Sequence, residues 1–283
     1  MLQPLFLATS MITPRNRRLT ISTLILIFLS LNASAAAAEG FRGRDLFGPR
    51  FEDAPHARAD ARKRPQLGLS MVRRWNELAL NANALDHAPV APEIIEQPGP
   101  LRTARAFAIV HIAIFDGVNA IAGGHRSYSG IAPAPRGTSM DAAVAQAAHD
   151  TLVVLYKSQK ADFDGFLRED LDRIHDGHAK SDGIALGKRA AAAILANRAN
   201  DGSAHPEPLY GVGYKPNPAL GKWRQDPITR IPVALGADWS RLVRPFVLQS
   251  ADQFPAPPPP ALNSNEFAKA FNEVKNLGGC GND

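Results

Sequence analysis

The chain has 283 residues with a formal net charge of +5, 45% hydrophobic and 21% charged residues, and 23 prolines, the profile of a globular protein with long irregular connections. Three of its 32 basic residues (Arg15, Arg17, Arg18) lie in a leader, and the other 29 nearly balance 27 acidic ones, so the basic pI carries no functional message. No Lys/Arg cluster interleaved with aromatics stands out, which argues against a nucleic-acid partner.

Residues 1–38 have the form of an export signal. Arg15-Asn-Arg-Arg18 makes a positive start, Leu19 to Leu31 is an apolar run of 13 residues, and Asn32 to Ala38 offers small residues for cleavage before Glu39. A spanning helix needs roughly 20 apolar residues, so the run predicts an exported protein, periplasmic or secreted, with no stable membrane span after cleavage. Cys280 is the single cysteine, which rules out an internal disulfide. A catalytic thiol needs a base, and no histidine follows His205 in sequence.

Residues 39–68 mix Arg, Asp, Pro and Gly without a period and read as an extended arm. A helical bundle is expected over 69–201. Its first helix runs to Asp86 with Ser70 as cap and Val72, Trp75, Leu78, Ala79, Ala82 and Leu85 on the apolar face. Pro89, Pro92 and Pro98 to Pro100 then hold the chain extended. Leu101 to Ala122 is apolar on every side, the pattern of a helix inside a bundle, and reads as the helix that the others serve; Gly123-Gly124 ends it.

Further helices are expected at 139–156, capped by Ser139 with Asp141 in its first turn, at 162–176, and at 182–200. Residues 202–262 are rich in Pro and without a helical period, and read as a segment wrapping the bundle, anchored by Trp223, Trp239, Phe246 and Phe254. Pro257 to Pro260 reads as a rigid spacer. A last helix over 263–277, with Phe267, Ala270, Phe271 and Val274 inward, lies in the final segment 263–283. No alternating strand pattern persists, so the fold class is all-α.

Two constellations carry chemical residue types. His175-Asp-Gly-His178, near Asp172 and Asp182, holds metal-ligand types, but its position at a helix end, with Gly177 as a cap, favours exposed surface over a zinc site. His111, Asp116 and Asn119 interrupt the apolar 101–122 helix. Asp116 and Asn119 are i,i+3 neighbours able to hold one loop or neighbouring helix together, and a satisfied core network is the preferred reading for all three. No GxSxG elbow, P-loop or GxGxxG is present.

Trp75-Asn76, Ala104 to Ile121 (ARAFAIVHIAIFDGVNAI), Ala142 to Gln159, and the run from Trp239 through Arg244 to Ser250, Gln253-Phe254 and Pro257 to Leu262, closing with Asn272 to Gly278, together resemble the N-terminal helical half of bacterial vanadium-dependent haloperoxidases. That family shares a fold with phosphatidic-acid phosphatase type 2 enzymes. The resemblance implies halide oxidation by peroxide, or related phosphatase chemistry, with vanadate as cofactor in a complete member.

The family's chemistry rests on three motifs: a Lys separated by six residues from an Arg-Pro, a Pro-Ser-Gly-His, and a Ser-Arg followed after five residues by His. A highly charged oxyanion needs those cations. Here Arg244-Pro245 is preceded by Ala237 in place of Lys, Ser240-Arg241 is followed by Val247 in place of His, and Ser129-Gly130 is followed by Ile131. The expectation is a truncated or split protein with no catalytic, cofactor-binding or metal residues of its own, inactive alone. Its implied partner is the missing catalytic half or a second subunit. An exported, non-catalytic helical binding protein is the alternative.

Overall fold

The computed structural model describes residues 70–87, 95–228 and 230–278. Residues 1–38, expected as an export signal, and 39–68, expected as an extended arm, lie outside the described residues, as do Pro89, Pro92 and Cys280. Those described are helical: α1 (Met71–Asp86), α2 (Gly99–Ala122), α3 (Met140–Leu155), a 3₁₀ turn (Lys157–Gln159), α4 (Lys160–Asp172), α5 (His178–Arg198), a short α6 (Trp239–Leu242) and α7 (Asn265–Leu277). Among the described residues there is no strand, only the isolated bridges Leu209 to Val233 and Tyr210 to Tyr214.

The helix starts follow from local chemistry. The Ser70, Ser139 and Ser264 hydroxyls accept from the backbone N–H of Arg73, Ala142 and Phe267 at 3.4, 3.3 and 3.1 Å, each satisfying one orphan donor of a first turn. α2 ends where Gly123 turns to φ 71°, a conformation open to glycine at little cost. Gly177 caps the start of α5 rather than the end of the preceding helix. α4 begins two residues earlier than its apolar pattern suggests, directly after the 3₁₀ turn, and ends at Asp172 instead of 176.

The helix at the centre is α3, a correction to the expectation for 101–122. Every residue from Ala142 to His149 is buried, and α3 packs against α1, α2, α4 and α5. α2, by contrast, leaves Leu101, Ala104 and Phe115 exposed and buries the side carrying Ala106, Ile109, Val110, Ala113 and Ile114. It passes the length and composition of a membrane-crossing helix, yet α3 and α5 lie against it. Alanine explains α3's position: a thin helix lets four neighbours approach its axis, so small side chains choose the centre more strongly than large apolar ones.

The closest approach is between α3 and α5. A Cβ placed on Gly187 would lie 2.5 Å from Ala143 O and 2.8 Å from Ala147 N, and one on Gly183 would lie 2.5 Å from Ser139 O. These glycines let two backbones touch. The core then fills around Trp75, Ile109, Leu152, Phe163 and Ile194.

The expected face of α1 is buried at Trp75, Leu78, Ala79 and Ala82, with Val72 alone exposed, whereas α7 buries none of its residues, Phe271 and Val274 included. Phe254, expected as an anchor, is also exposed. Phe246 does pack on the core: Arg198 lies over its ring at 3.9 Å, and Tyr128 donates to its carbonyl at 2.6 Å.

Gly187→Ala is expected to lower the unfolding free energy by about 1–3 kcal/mol, because backbone atoms cannot yield to the added methyl. Gly165→Ala on α4, where the new Cβ meets nothing within 4 Å, is expected to stabilise by up to about 1 kcal/mol. Urea denaturation of the two variants checks the contrast.

Candidate functional site

The polar interior is built from carboxylates, and most of them fasten a loop. Asp86 accepts from the backbone N–H of Glu96 at 2.7 Å and of Gln97 at 2.9 Å, although burial pushes its carboxyl above the usual range. Glu96 accepts in turn from the N–H of Lys157 at 2.8 Å and of Ser158 at 3.1 Å, and so holds the 3₁₀ turn. Asp116, fully buried, takes three donors: Ser127 Oγ at 2.8 Å, Tyr128 N at 2.7 Å and Ser129 N at 2.8 Å. Asn119 donates to His125 O at 2.9 Å and accepts from His125 N at 3.1 Å.

Asp116 and Asn119 therefore hold one loop, 123–131, as their spacing suggests. His111 is separate: its ring Nε2–H donates to Asn76 Oδ1 at 3.0 Å and ties α2 to α1, with burial lowering its pKa. The three polar residues of α2 form no shared site. Each is consumed by structure.

Buried cations are matched in the same way. Arg74 meets Asp170 at 2.7 Å, and Trp75 Nε1–H donates to the same carboxylate at 3.0 Å, clasping α1 to α4. Arg105 and Arg198 share Asp201, at 2.7 and 2.8 Å. Burial works to raise the Asp201 carboxyl, but its bonds from Arg105 and Ser203 prevail and hold it at about 2. Arg102 pairs with Glu207, which also accepts from Gly236 N at 2.7 Å.

Among the described residues, a constellation beside a groove lies on α3 and α4. His149 Nδ1 lies 2.7 Å from Asp150 Oδ1 and its Nε2 lies 2.9 Å from Asp164 Oδ1, while its ring meets Trp75 edge-on at 6.4 Å. Lys160 bonds the other Asp164 oxygen at 2.5 Å. An open groove of about 370 Å³ adjoins it, lined by His149, Asp164, Leu167, Arg168, Leu171, Asp172 and Lys180.

Burial works to lower the His149 pKa, but the two carboxylates more than offset it and raise the value. Ionised carboxylates only accept, so both ring nitrogens carry protons and the imidazolium bridges the helices. With both ring nitrogens facing carboxylate oxygens, the arrangement is a helix clamp beside a groove.

The sequence carries little signal for His149 and Asp150, and Asp162-Phe-Asp164-Gly, which lacks the later ligands of a calcium loop, reads only as a helix start. Asp164 lies 15 residues from His149, and only a histidine within the Ala-rich stripe of α3 hinted at a buried partner. His175, in the turn after α4, and His178, the first residue of α5, are both exposed. Among the described residues no group of three or more His, Cys, Asp or Glu is placed to hold a metal ion.

Vanadate needs several unpaired cations around one cavity. The buried Arg74 and Arg198 and the half-buried Arg105 and Arg102 already face Asp170, Asp201 and Glu207, so these four are not free to surround an oxyanion.

Asp116→Ala leaves two backbone N–H groups and a serine hydroxyl without their acceptor and is expected to cost about 2–4 kcal/mol in urea unfolding. His149 has a raised folded pKa, so its stabilisation is fully present below about 6.5, the unfolded value, and is lost as pH rises through the folded value. The stability advantage of the native chain over His149→Gln is thus expected to shrink as pH rises above about 6.5; a difference that stays constant with pH would show that the ring's charge adds nothing to the clamp.

Comparison with protein-family models, with curated proteins and with solved structures found no match to this chain.

Proposed function

We propose that this chain is the helical scaffold of an exported, vanadium-dependent haloperoxidase-like protein, and that residues outside these 283 supply the oxyanion chemistry. The observation that carries the proposal is the use made of the residues behind the resemblance. Trp75 is a buried core residue bonded to Asp170. Asn76 meets His111, and Asp116 and Asn119 hold the 123–131 loop. All serve as framework, and the three oxyanion motifs are absent from the sequence.

The wrapping role of 202–262 belongs to the same reading. It draws support from Arg198 over Phe246 and from Arg102 at 5.4 Å from the Trp239 ring. A second reading, a non-catalytic binding protein of the same framework, draws on the exposed apolar side chains of α7.

The purified chain, supplied with vanadate, peroxide and bromide or chloride, is expected to oxidise no halide above the buffer rate, and to release no phosphate from a phosphomonoester. Turnover of either substrate that rises with vanadate or phosphomonoester and co-purifies with the folded chain would overturn the proposal. A neighbouring reading frame encoding Pro-Ser-Gly-His and Ser-Arg-x5-His would favour the scaffold over the binding protein.

A further inference from the structure

Residues 206–230 form a lobe that closes on itself and displays apolar side chains to solvent. Its base is held by Tyr210 N–H donating to Pro232 O at 3.0 Å and Ala234 N–H to Pro208 O at 2.8 Å. The Tyr210 ring stacks on Trp223 at 5.0 Å and 8°, and Tyr214 meets both edge-on at 5.7 and 5.8 Å. This stack brings the 209–214 turn against the 220–228 stretch. The aromatic triad does the work of a core for a segment without regular structure.

With that internal support, four large apolar side chains point outward: Val212 is 76% exposed, Leu220 80%, Trp223 50% and Ile228 58%. A soluble surface shows such residues singly, not gathered on one 25-residue lobe.

The charges of the lobe are one-sided. It carries Lys215, Lys222, Arg224 and Arg230 against Glu207 and Asp226, and Glu207 is buried on Arg102. Arg224 and Arg230 donate to the carbonyls of Pro218 and Pro227 at 2.6 and 3.3 Å, not to carboxylates, so their charge is not neutralised there. The cations are spread over 16 residues, which hides them from a sequence scan.

We infer that this lobe is a docking surface for an anionic lipid bilayer. Exposed aliphatic residues gain by entering the acyl boundary, Trp and Tyr favour the headgroup level, and Lys/Arg favour a negative leaflet. A nucleic acid would use the cations and rings but leave Val212, Leu220 and Ile228 in water. The inference is independent of the haloperoxidase reading, since it uses none of the residues that carry it.

The test uses the full chain with vesicles of phosphatidylcholine alone and of phosphatidylcholine mixed with phosphatidylglycerol. Binding is expected to the mixed vesicles only and to weaken as salt is raised. Lys215→Glu with Lys222→Glu, and separately Val212→Ser with Leu220→Ser, are each expected to weaken it roughly tenfold or more. Unfolding curves in urea verify that these surface variants fold.

A second measurement locates the contact whatever those variants do. Lipids brominated near the headgroup are expected to quench a fluorescence component that Trp223→Phe removes. Equal binding to neutral vesicles, unchanged binding by both double variants, or no quenching of Trp223 would overturn the inference. So would a protein partner lost by the lobe variants in the absence of any vesicle binding.

Discussion

A helix buried on every side sets the terms for this bundle. Ala142 to His149 of α3 has no solvent-facing residue, so its neighbours must arrive from four directions and at close range. That demand selects alanine on α3 and glycine on α5 at 183 and 187, where a side chain of any size meets backbone. It also makes α3 intolerant of unmatched polar groups. Thr151 answers by donating to the carbonyls of Ala147 and Ala148 at 2.9 Å each, and His149 by lying between two carboxylates.

The same constraint explains where the acidic residues went. Helices packed this closely leave their connections unsupported, and a carboxylate can hold two or three backbone donors at once. Asp86, Glu96 and Asp116 each do so, and Asp201 and Glu207 combine loop N–H groups with arginines. Acids occupied by backbone donors, and arginines occupied by acids, serve the framework of the described residues.

Much of this was legible in the sequence. Ser70 and Ser139 marked true helix starts, Gly123 a true end, and the i,i+3 spacing of Asp116 and Asn119 pointed to one shared loop, because all of these depend on neighbours within a turn or two. The choice of central helix was not legible from apolar content: 101–122 has the larger side chains, but thinness decides who sits at the centre. The pairs Arg74 with Asp170 and Arg105 with Asp201 span 96 residues each, beyond any periodic signal. α7 shows the opposite failure, a clear amphipathic pattern whose apolar side is left without burial, Phe267 alone being half-covered.

α3 is the organising element of the bundle, and native-state hydrogen exchange of the full chain reads this directly. The amides of Ala143 to Leu152 are predicted to exchange only through global unfolding, more slowly than those of α2, with α7 exchanging fastest. Exchange of α3 through a smaller opening than α2, or protection of α7 equal to that of α3, would contradict it.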